Sequence, residues 1–321
     1  MSKVSVVVPV YNVQDYVAKC LDCLCQQTYQ DMEIICVDDC SSDNTLNILK
    51  TYAEKDKRVR IIKRDANGGQ AAARQTGIDV TTGAYIGFVD SDDWVDLDYF
   101  EKMVIEAERT HADIIVNSNI LMHEKGQVFP KIFPGHKQLE MKVYDNPVAQ
   151  MEKVWCVVWN KLFRADFLKQ RQFTIPKRSA HEDVFFHYAT FAFAKSMSFF
   201  CGSAYHYLYR ESSISHVKYD WGVEHLKVYD QIYDFYQANN LLNKKIKLYA
   251  TMPMFNINNE QDFALYKGYF QKIKAYMDEN AEVFNEADLF IAQCILSCPE
   301  YADYKAQYPA NLMMCYLRRK K

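Results

Sequence analysis

The chain has 321 residues, of which 49% are hydrophobic and 25% are charged. This composition is typical of a globular protein with room for one large domain or two smaller ones. A net charge of −3 shows no excess of basic residues, which argues against a protein that binds nucleic acid. No run reaches the roughly 18 apolar residues that a membrane span needs, so we expect no transmembrane helix.

The cysteines and the N-terminus together predict a cytoplasmic protein. The chain enters a predicted strand directly after Met1, without the apolar core of a signal peptide, so its 10 cysteines are expected to be reduced thiols. Cys20, Cys23 and Cys25 fall inside a predicted helix and lack a second closely spaced pair. We interpret them as small buried hydrophobic residues rather than as metal ligands.

Strand and helix signals alternate along the first third of the chain. In chain order they predict a strand over 4–11, a helix around 16–24, a strand over 33–37, a helix around 46–52, a strand over 59–62, a helix over 70–80 and a strand over 85–89. Strands that alternate with helices imply an α/β protein whose mostly parallel sheet is covered by helices on both faces.

The last of these strands runs into three carboxylates within four residues, in the segment Asp90-Ser91-Asp92-Asp93. Like charges this close repel each other, so the cluster favours a facing cation. A hard divalent ion, Mg²⁺ or Mn²⁺, held by one or two carboxylates would leave coordination positions for phosphate oxygens. The cluster also lies just past the end of a strand, where open α/β sheets bind their ligands. The alternative is an acidic turn that caps a helix starting near Leu97.

Two nucleotide-binding fingerprints are absent from the sequence. No G-x-G-x-x-G follows the first strand, which argues against a dinucleotide-binding dehydrogenase, and no G-x-x-x-x-G-K-S/T occurs, which argues against a P-loop NTPase. A metal held by the acidic cluster would supply the positive charge that bound phosphates need.

Several motifs now add up to a pattern that covers about residues 3–216. They are Val6-Val-Val-Pro9-Val-Tyr11-Asn12, Ile35-Cys-Val-Asp38-Asp39-Cys-Ser41-Ser42-Asp43, Asn67-Gly68-Gly69 with Ala73-Arg74, the acidic cluster, Trp159-Asn160-Lys161-Leu162-Phe163-Arg164 and Glu182-Asp183. Together they resemble the inverting family 2 glycosyltransferases, and most of all the enzymes of bacterial surface polysaccharide synthesis. The resemblance implies the GT-A nucleotide-sugar-binding fold.

The resemblance implies a donor site for a UDP-sugar. In it Asp39 accepts a hydrogen bond from the uracil N3–H, and Arg74 contacts the diphosphate or the base. The full donor-binding set that the resemblance implies is Pro9, Tyr11, Asp39, Asn67, Gly68, Arg74, Asp90, Ser91 and Asp93. Without the resemblance, Asp39 also fits a turn that ends the second strand, and residues 67–69 fit a tight turn. Arg74 also fits a solvated helical arginine.

The same resemblance assigns the metal, Mn²⁺ or Mg²⁺, to Asp92. Asp90 binds either the ribose hydroxyls or the metal, and Asp93 orients the sugar or supports the metal ligands. His216 is a further candidate for a metal or phosphate contact, and its alternative is an ordinary surface histidine.

Asp183 is the candidate general base, because an inverting transfer needs a group that removes the acceptor proton during in-line attack. Its alternative is a carboxylate that complements the dipole of a helix, and Glu182 is the neighbouring candidate base. Trp159 offers a ring for sugar stacking or belongs to the core. Lys161 contacts acceptor or phosphate, or is a solvated flank.

Beyond residue 216 the resemblance ends, and apolar residues at three- and four-residue intervals predict amphipathic helices. We therefore expect a catalytic domain over 1–216 and a helical C-terminal subdomain over 217–321. The subdomain is expected to cover the catalytic domain or to form a homo-oligomer interface. The terminal cations, 318–321, suit either an anionic membrane surface or a solvated tail.

These observations predict a cytoplasmic, metal-dependent inverting glycosyltransferase, with or without peripheral contact at the inner face of the membrane. Its partners would be a UDP-sugar donor and a glycan or lipid-linked saccharide acceptor, not nucleic acid. Two alternatives stay open: a nucleotidyltransferase that forms a sugar nucleotide, and a non-catalytic module that binds a sugar nucleotide or a glycan.

Overall fold

The structure is a computed structural model that describes residues 2–131, 133–170, 181–210, 221–244, 246, 248, 257, 259–284 and 286–308. Packing divides the chain into two compact units, Met1–His216 and Val217–Lys321. The catalytic role of the first unit and the covering or interface role of the second unit stay predictions. In the described part of the chain, every helix is too short or too polar to cross a membrane.

The strands of the first unit form two sheets in its described part. The larger sheet has eight strands in the order β3-β2-β1-β4-β10-β6-β11-β9, and the smaller sheet has four in the order β5-β12-β7-β8. The strand bounds are β1 Val4–Val10, β2 Met32–Asp38, β3 Val59–Lys63, β4 Tyr85–Phe88, β5 Trp94–Val95, β6 Ile114–Asn117, β7 Ile120–Glu124, β8 Gln127–Pro130, β9 Val143–Tyr144, β10 Lys161–Arg164, β11 Met197–Phe200 and β12 Tyr205–Leu208.

Ten helices join or follow these strands within the described residues. Their bounds are α1 Val17–Cys25, α2 Thr45–Lys55, α3 Gln70–Asp79, α4 Tyr99–Thr110, α5 Ala165–Gln170, α6 Glu182–Phe193, α7 Trp221–Ala238, α8 Glu260–Glu279, α9 Glu286–Ser297 and α10 Tyr301–Gln307. Short 3₁₀ helices occupy Pro134–Gln138, Pro147–Lys153, Leu242–Lys244 and Ala281–Val283.

The first half of the large sheet is parallel, as the alternating pattern predicts. β1 pairs in parallel with β2 and β4, and β2 pairs in parallel with β3. All seven residues of β1 are buried because helices cover both faces of a parallel sheet. The predicted α/β fold is confirmed, although the second half departs from the parallel pattern: β10 runs antiparallel to both β4 and β6.

α3 packs unusually close to the sheet, and this closeness positions the functional site. A Cβ atom at Gly77 would lie 2.3 Å from Cγ1 of Val7, so only glycine permits the observed approach to β1. The neighbouring positions Ala71–Ala73 are small and buried. The long side chain of Arg74 therefore starts from a helix held against the sheet, near the carboxyl ends of β1 and β4.

The second unit is helical in its described part, as the apolar spacing predicts. α7 and α8 bury tyrosines and phenylalanines along their lengths, including Tyr236, Tyr266 and Phe270. α8 begins at an N-cap, where the side chain of Asn259 accepts a hydrogen bond from the backbone N–H of Asp262.

Candidate functional site

Polar side chains gather beyond the carboxyl ends of β1, β2 and β4. Asp39 follows β2 and is only 2% exposed. Its carboxylate accepts the backbone N–H groups of Gly68 at 3.1 Å and Gly69 at 2.8 Å, and it forms an ion pair with Arg64. These contacts hold the Asp39 carboxylate against the turn that precedes α3.

Gly68 leaves the space that this arrangement needs. A Cβ atom at that position would lie 2.7 Å and 2.8 Å from the two terminal nitrogens of Arg64. The side chain of Asn67 accepts the N–H of Gly69 at 3.2 Å, and Gly69 has φ +82°. The segment 67–69 is thus a turn around Asp39. Contacts of these residues with a nucleotide stay predictions.

Tyr11 and Pro9 differ in exposure at the end of β1. Tyr11 is 47% exposed, so its ring is available to a ligand. Pro9 is buried within the strand and lies opposite Val37 of β2. Only the main chain and the tyrosine ring can therefore frame a base at this point.

Arg74 lies at the centre of the site and is 1% exposed. Its Nη2 donates to Asp90 Oδ1 at 2.8 Å. Its Nη1 donates to Asp183 Oδ1 at 2.5 Å and to Glu182 Oε1 at 3.1 Å. Gln70, one turn earlier on α3, donates to the same Asp90 oxygen at 3.0 Å. One guanidinium therefore joins the acidic cluster to the acidic pair, which are about ninety residues apart in sequence.

The three aspartates of the acidic cluster have different environments. Asp93 is 1% exposed and accepts hydrogen bonds from the hydroxyl of Tyr205 and the backbone N–H of Leu208, both at 2.8 Å. Asp90 and Asp92 keep 17% and 18% of their side chains exposed. Asp93 thus holds β12 in place, whereas Asp90 and Asp92 face the site.

The carboxylate of Asp92 pairs with Arg210, whose guanidinium also lies 4.5 Å above the ring of Tyr16. Burial raises the pKa of Asp92, and the charge of Asp90 raises it further. Ser91 is buried beneath this surface at 6% exposure. Asp90 and Asp92 are therefore partly exposed carboxylates, each of which already pairs with one arginine.

Two adjacent, partly exposed carboxylates fit a divalent metal that takes its remaining ligands from phosphate oxygens and water. Within the described residues, no three His, Cys, Asp or Glu side chains are arranged to hold an ion by themselves. Asp90 and Asp92 are the residues that would hold such an ion. His216 lies outside the described residues.

Burial and nearby charges shift the pKa values of the acidic pair at the start of α6. The pKa of Glu182 is raised to about 7, mainly by burial and also by the neighbouring Asp183, against the charge of Arg74. Burial also raises the pKa of Asp183, again against the charge of Arg74. A carboxylate whose pKa moves toward neutrality is a better proton acceptor at working pH. Asp183 is the more open of the two, with 23% of its side chain exposed against 10% for Glu182.

Trp159 is core rather than a sugar platform. It is 3% exposed, and its ring stacks on those of Tyr205 and Tyr207 with centroids 4.3 Å and 5.9 Å away. Of the two alternatives that the sequence offers for Trp159, the structure supports the core.

Lys161 is neither a solvated flank nor open to a ligand. It is 3% exposed, and its Nζ donates to the carbonyl oxygens of Trp155 and Val157 and to Asn160 Oδ1. Burial lowers its pKa to about 7. Lys161 thus fixes the segment that leads into β10, and the buried charge lies close enough to Asp183 to affect its pKa.

Four residues of the site were not singled out from the sequence as site residues. They are Arg64, Gln70, Tyr205 and Arg210. Gln70 precedes Arg74 by four residues and Arg64 directly follows β3, so helical spacing and position at a strand end are signals that could have found them. Tyr205 and Arg210 carry no such local signal, because β12 reaches the acidic cluster only in the folded chain.

Comparison with known proteins identifies the family of the chain. Residues 5–171 match the family described as Glycosyl transferase family 2. Glycosyltransferase GlyA of Streptococcus pneumoniae is 35% identical over 224 residues, which cover 67% of this chain and 32% of that protein. Poly(ribitol-phosphate) beta-glucosyltransferase of Bacillus spizizenii is 31% identical over 322 residues, 98% of this chain and 48% of that protein. The chain thus spans about a third to a half of the length of these curated relatives.

The fold is also that of a solved crystal structure. A crystal structure of S. aureus TarS 1–349 in complex with UDP-GlcNAc has a TM-score of 0.74 and 19% identity, and covers 98% of this chain and 92% of that one. The family match extends over more than half of the residues. This chain belongs to glycosyl transferase family 2.

Proposed function

We propose that the chain transfers a sugar from a UDP-sugar to a hydroxyl group of a bacterial surface glycan or of a lipid-linked saccharide, with inversion at the anomeric carbon. A divalent metal, Mn²⁺ or Mg²⁺, would assist at Asp90 and Asp92. Asp183 would act as the general base.

One observation carries this proposal: the guanidinium of Arg74 hydrogen-bonds both Asp90, on the donor side, and Asp183, the candidate base. Donor and acceptor chemistry can therefore take place within one site. A module that only binds a sugar nucleotide has no need for a second carboxylate, partly exposed and raised in pKa, beside the donor carboxylates.

The chemistry that follows is a single displacement. Asp183 accepts the proton of the acceptor hydroxyl as the acceptor oxygen forms a bond to the anomeric carbon. The bond between that carbon and the UDP oxygen breaks on the opposite side, and UDP leaves with the electron pair. When bound, the metal would neutralise charge that grows on the leaving diphosphate. Arg210, next to Asp92, adds positive charge on the same side.

Similarity to named proteins supports both donor and acceptor. The TarS structure contains UDP-GlcNAc, and the Bacillus relative is named for a poly(ribitol-phosphate) acceptor and a beta linkage. A beta linkage is what inversion of an alpha-linked nucleotide sugar gives. The exposed ring of Tyr11 and the buried acceptor Asp39 suit a flat base with an imide N–H.

Thermal shift with UDP-, GDP- and CDP-sugars, each with Mn²⁺ or with a chelator, tests the donor assignment. We expect UDP-sugars to raise the melting temperature most, and only in the presence of the metal. An equal shift with all three nucleotides, or with the chelator, would contradict it. Release of pyrophosphate from a nucleoside triphosphate and a sugar phosphate would instead identify a nucleotidyltransferase.

A further inference from the structure

Arg74 is an unusual arginine for a residue that is expected to bind a ligand. Its side chain is 2% exposed, and its terminal nitrogens are directed at protein carboxylates. These carboxylates come from two distant parts of the chain: Asp90 follows β4, whereas Glu182 and Asp183 open α6. The contacts give the guanidinium a role inside the protein, between the two halves of the site.

The shape of the guanidinium fixes the distance between those halves. The group is planar and its donors form a rigid fork, so Nη2 on Asp90 and Nη1 on Asp183 set the separation of the two carboxylates. Gln70 holds the same Asp90 oxygen from the preceding turn of α3. A lysine at position 74 would offer one nitrogen on a flexible stem and could not span both contacts in the same way.

Burial makes this arrangement depend on Arg74. Burial opposes the charge of the guanidinium, but the carboxylates of Asp183, Asp90 and Glu182 together raise its pKa, so Arg74 stays charged. Removing one partner of a buried ion pair leaves the other charge uncompensated. The charged or titratable groups near Asp183 are Arg74, Asp90, Glu182, Lys161 and Cys156.

We propose that Arg74 is a positioning residue, which holds the Asp183 carboxylate at a fixed place relative to Asp90 without contacting the substrate. This inference rests on the proposed function, in which Asp183 is the base. Arg74 keeps Oδ1 of Asp183 occupied on its inner side while the partly exposed remainder of the carboxylate faces the acceptor.

A double-mutant cycle tests the proposal through the rate of sugar transfer. Arg74→Lys keeps a positive charge and loses the fork, so kcat should fall by about 10²-fold, as a misplacement of about 1 Å can cause. The Kd for UDP with Mn²⁺, measured by calorimetry, should stay within about threefold of wild type. In the Asp183→Asn background the same change should have little further effect, because the group it positions no longer works as a base.

Arg58→Lys is the matched control. Arg58 also binds a carboxylate through its fork, that of Asp56 at 2.7 Å, but it precedes β3 and so lies at the amino end of the parallel strands, opposite to the carboxyl ends that carry the site. We expect its kcat and UDP affinity to equal those of wild type.

Three outcomes would overturn the positioning role. If the losses from Arg74→Lys and Asp183→Asn multiply, or if Arg74→Lys weakens UDP binding as strongly as it lowers kcat, Arg74 acts on the donor directly. If Asp183→Asn alone leaves transfer unchanged, the base assignment of the proposed function fails as well. The two failures are thus distinguishable.

Glu182→Gln carries the test if Arg74→Lys does not fold. This variant keeps the contact between Arg74 and Asp183 and removes a negative charge that shares Nη1. We expect the acid limb of the pH profile of kcat to move to lower pH. If the acid limb stays at the same pH, the coupling of Glu182 to Asp183 through Arg74 is contradicted. If kcat collapses instead, Glu182 is the base.

Discussion

Two carboxylates of the site, Asp39 and Asp183, are stabilised in opposite ways. Asp39 receives two backbone N–H groups from Gly68 and Gly69 and an ion pair from Arg64, all from within 30 residues of it. Asp183 relies on Arg74, 109 residues away, whose guanidinium is shared with two other carboxylates. The proposed donor end is therefore built by a local turn, and the proposed catalytic end by one long-range contact.

The difference teaches where the site is robust and where it is fragile. Backbone donors are fixed by the fold of the turn, so the Asp39 carboxylate is held in place by the local chain. Asp183 is partly desolvated and its pKa is raised despite Arg74. We expect substitutions near Asp39 to affect binding, and substitutions near Asp183 to affect turnover.

The largest effect is expected from Asp183→Asn. The amide keeps the size and the hydrogen bonding of the carboxylate but cannot accept a proton, so transfer should fall by roughly 10²- to 10⁴-fold. UDP affinity should barely change. Transfer rate and calorimetric Kd measured on the same protein check both parts. A rate within a few-fold of wild type would transfer the assignment to Glu182.

Next in size is the loss of metal-dependent donor binding in Asp92→Asn. Removing a metal ligand should weaken UDP binding in Mn²⁺ by about 10- to 100-fold or more. Loss of a group that only supports a metal ligand already has an effect of that size. Asp93→Asn is the contrast, because the carboxylate of Asp93 is held by Tyr205 and Leu208. This variant should lower the melting temperature more than it weakens UDP binding. Equal UDP affinity in Asp92→Asn, or in the presence of chelator, would contradict the metal assignment.

Gly68→Ala should break the Asp39 turn. The new Cβ would lie 2.7 Å from Arg64 and 2.9 Å from Cβ of Ala72. We expect stability to fall by about 1–3 kcal/mol, as for other overpacked sites, and UDP to bind several-fold more weakly with kcat kept. Gly126→Ala is the control, because φ is +79° there and space is open. It should cost stability through backbone strain and leave UDP binding intact.

The smallest expected effect is a pH dependence in the second half of the large sheet. The pKa of His136 is lowered to about 4, mainly by burial and also by the charge of Lys161. Its Nε2 accepts the N–H of Trp155 at 3.3 Å and so is unprotonated in the fold. Because the folded pKa lies below the ordinary value of about 6.5, this stability is complete above pH 6.5 and is lost as the pH falls toward 4.

Hydrogen exchange of the Trp155 amide checks that pH dependence. Protection should drop between pH 6.5 and 4 while amides of β1 and β2 stay protected, after correction for the intrinsic rate. His136→Gln, which keeps a hydrogen-bonding group without the titration, should flatten the dependence. Protection of Trp155 that stays constant over this range would contradict the account.

The sequence predicts the parallel half of the fold closely and the rest of the site poorly. β1 is expected over 4–11 and observed over 4–10, and α3 is expected over 70–80 and observed over 70–79. These elements depend on local periodicity, which a sequence displays directly. The strand β10 was not predicted, because its antiparallel place between β4 and β6 depends on tertiary pairing.

The same limit applies to single side chains. Residue type and position at strand ends identify Asp39, Asp90 and Asp183 as candidates, but they do not reveal which cation each one meets. Lys161 reads as polar and exposed, yet three backbone and amide oxygens satisfy its charge in the interior. Long-range partners of buried charges are fixed by packing, not by spacing along the chain.

The central claim, that donor carboxylates and the base act in one inverting site, can be tested most directly by donor hydrolysis, which needs no knowledge of the acceptor. Proton NMR would follow an alpha-linked UDP-sugar with Mn²⁺ and record which anomer of the free sugar forms first. We predict that the beta anomer forms first with wild type and that hydrolysis is lost in Asp183→Asn while UDP still binds. The alpha anomer forming first, or undiminished hydrolysis in the variant, would contradict the account.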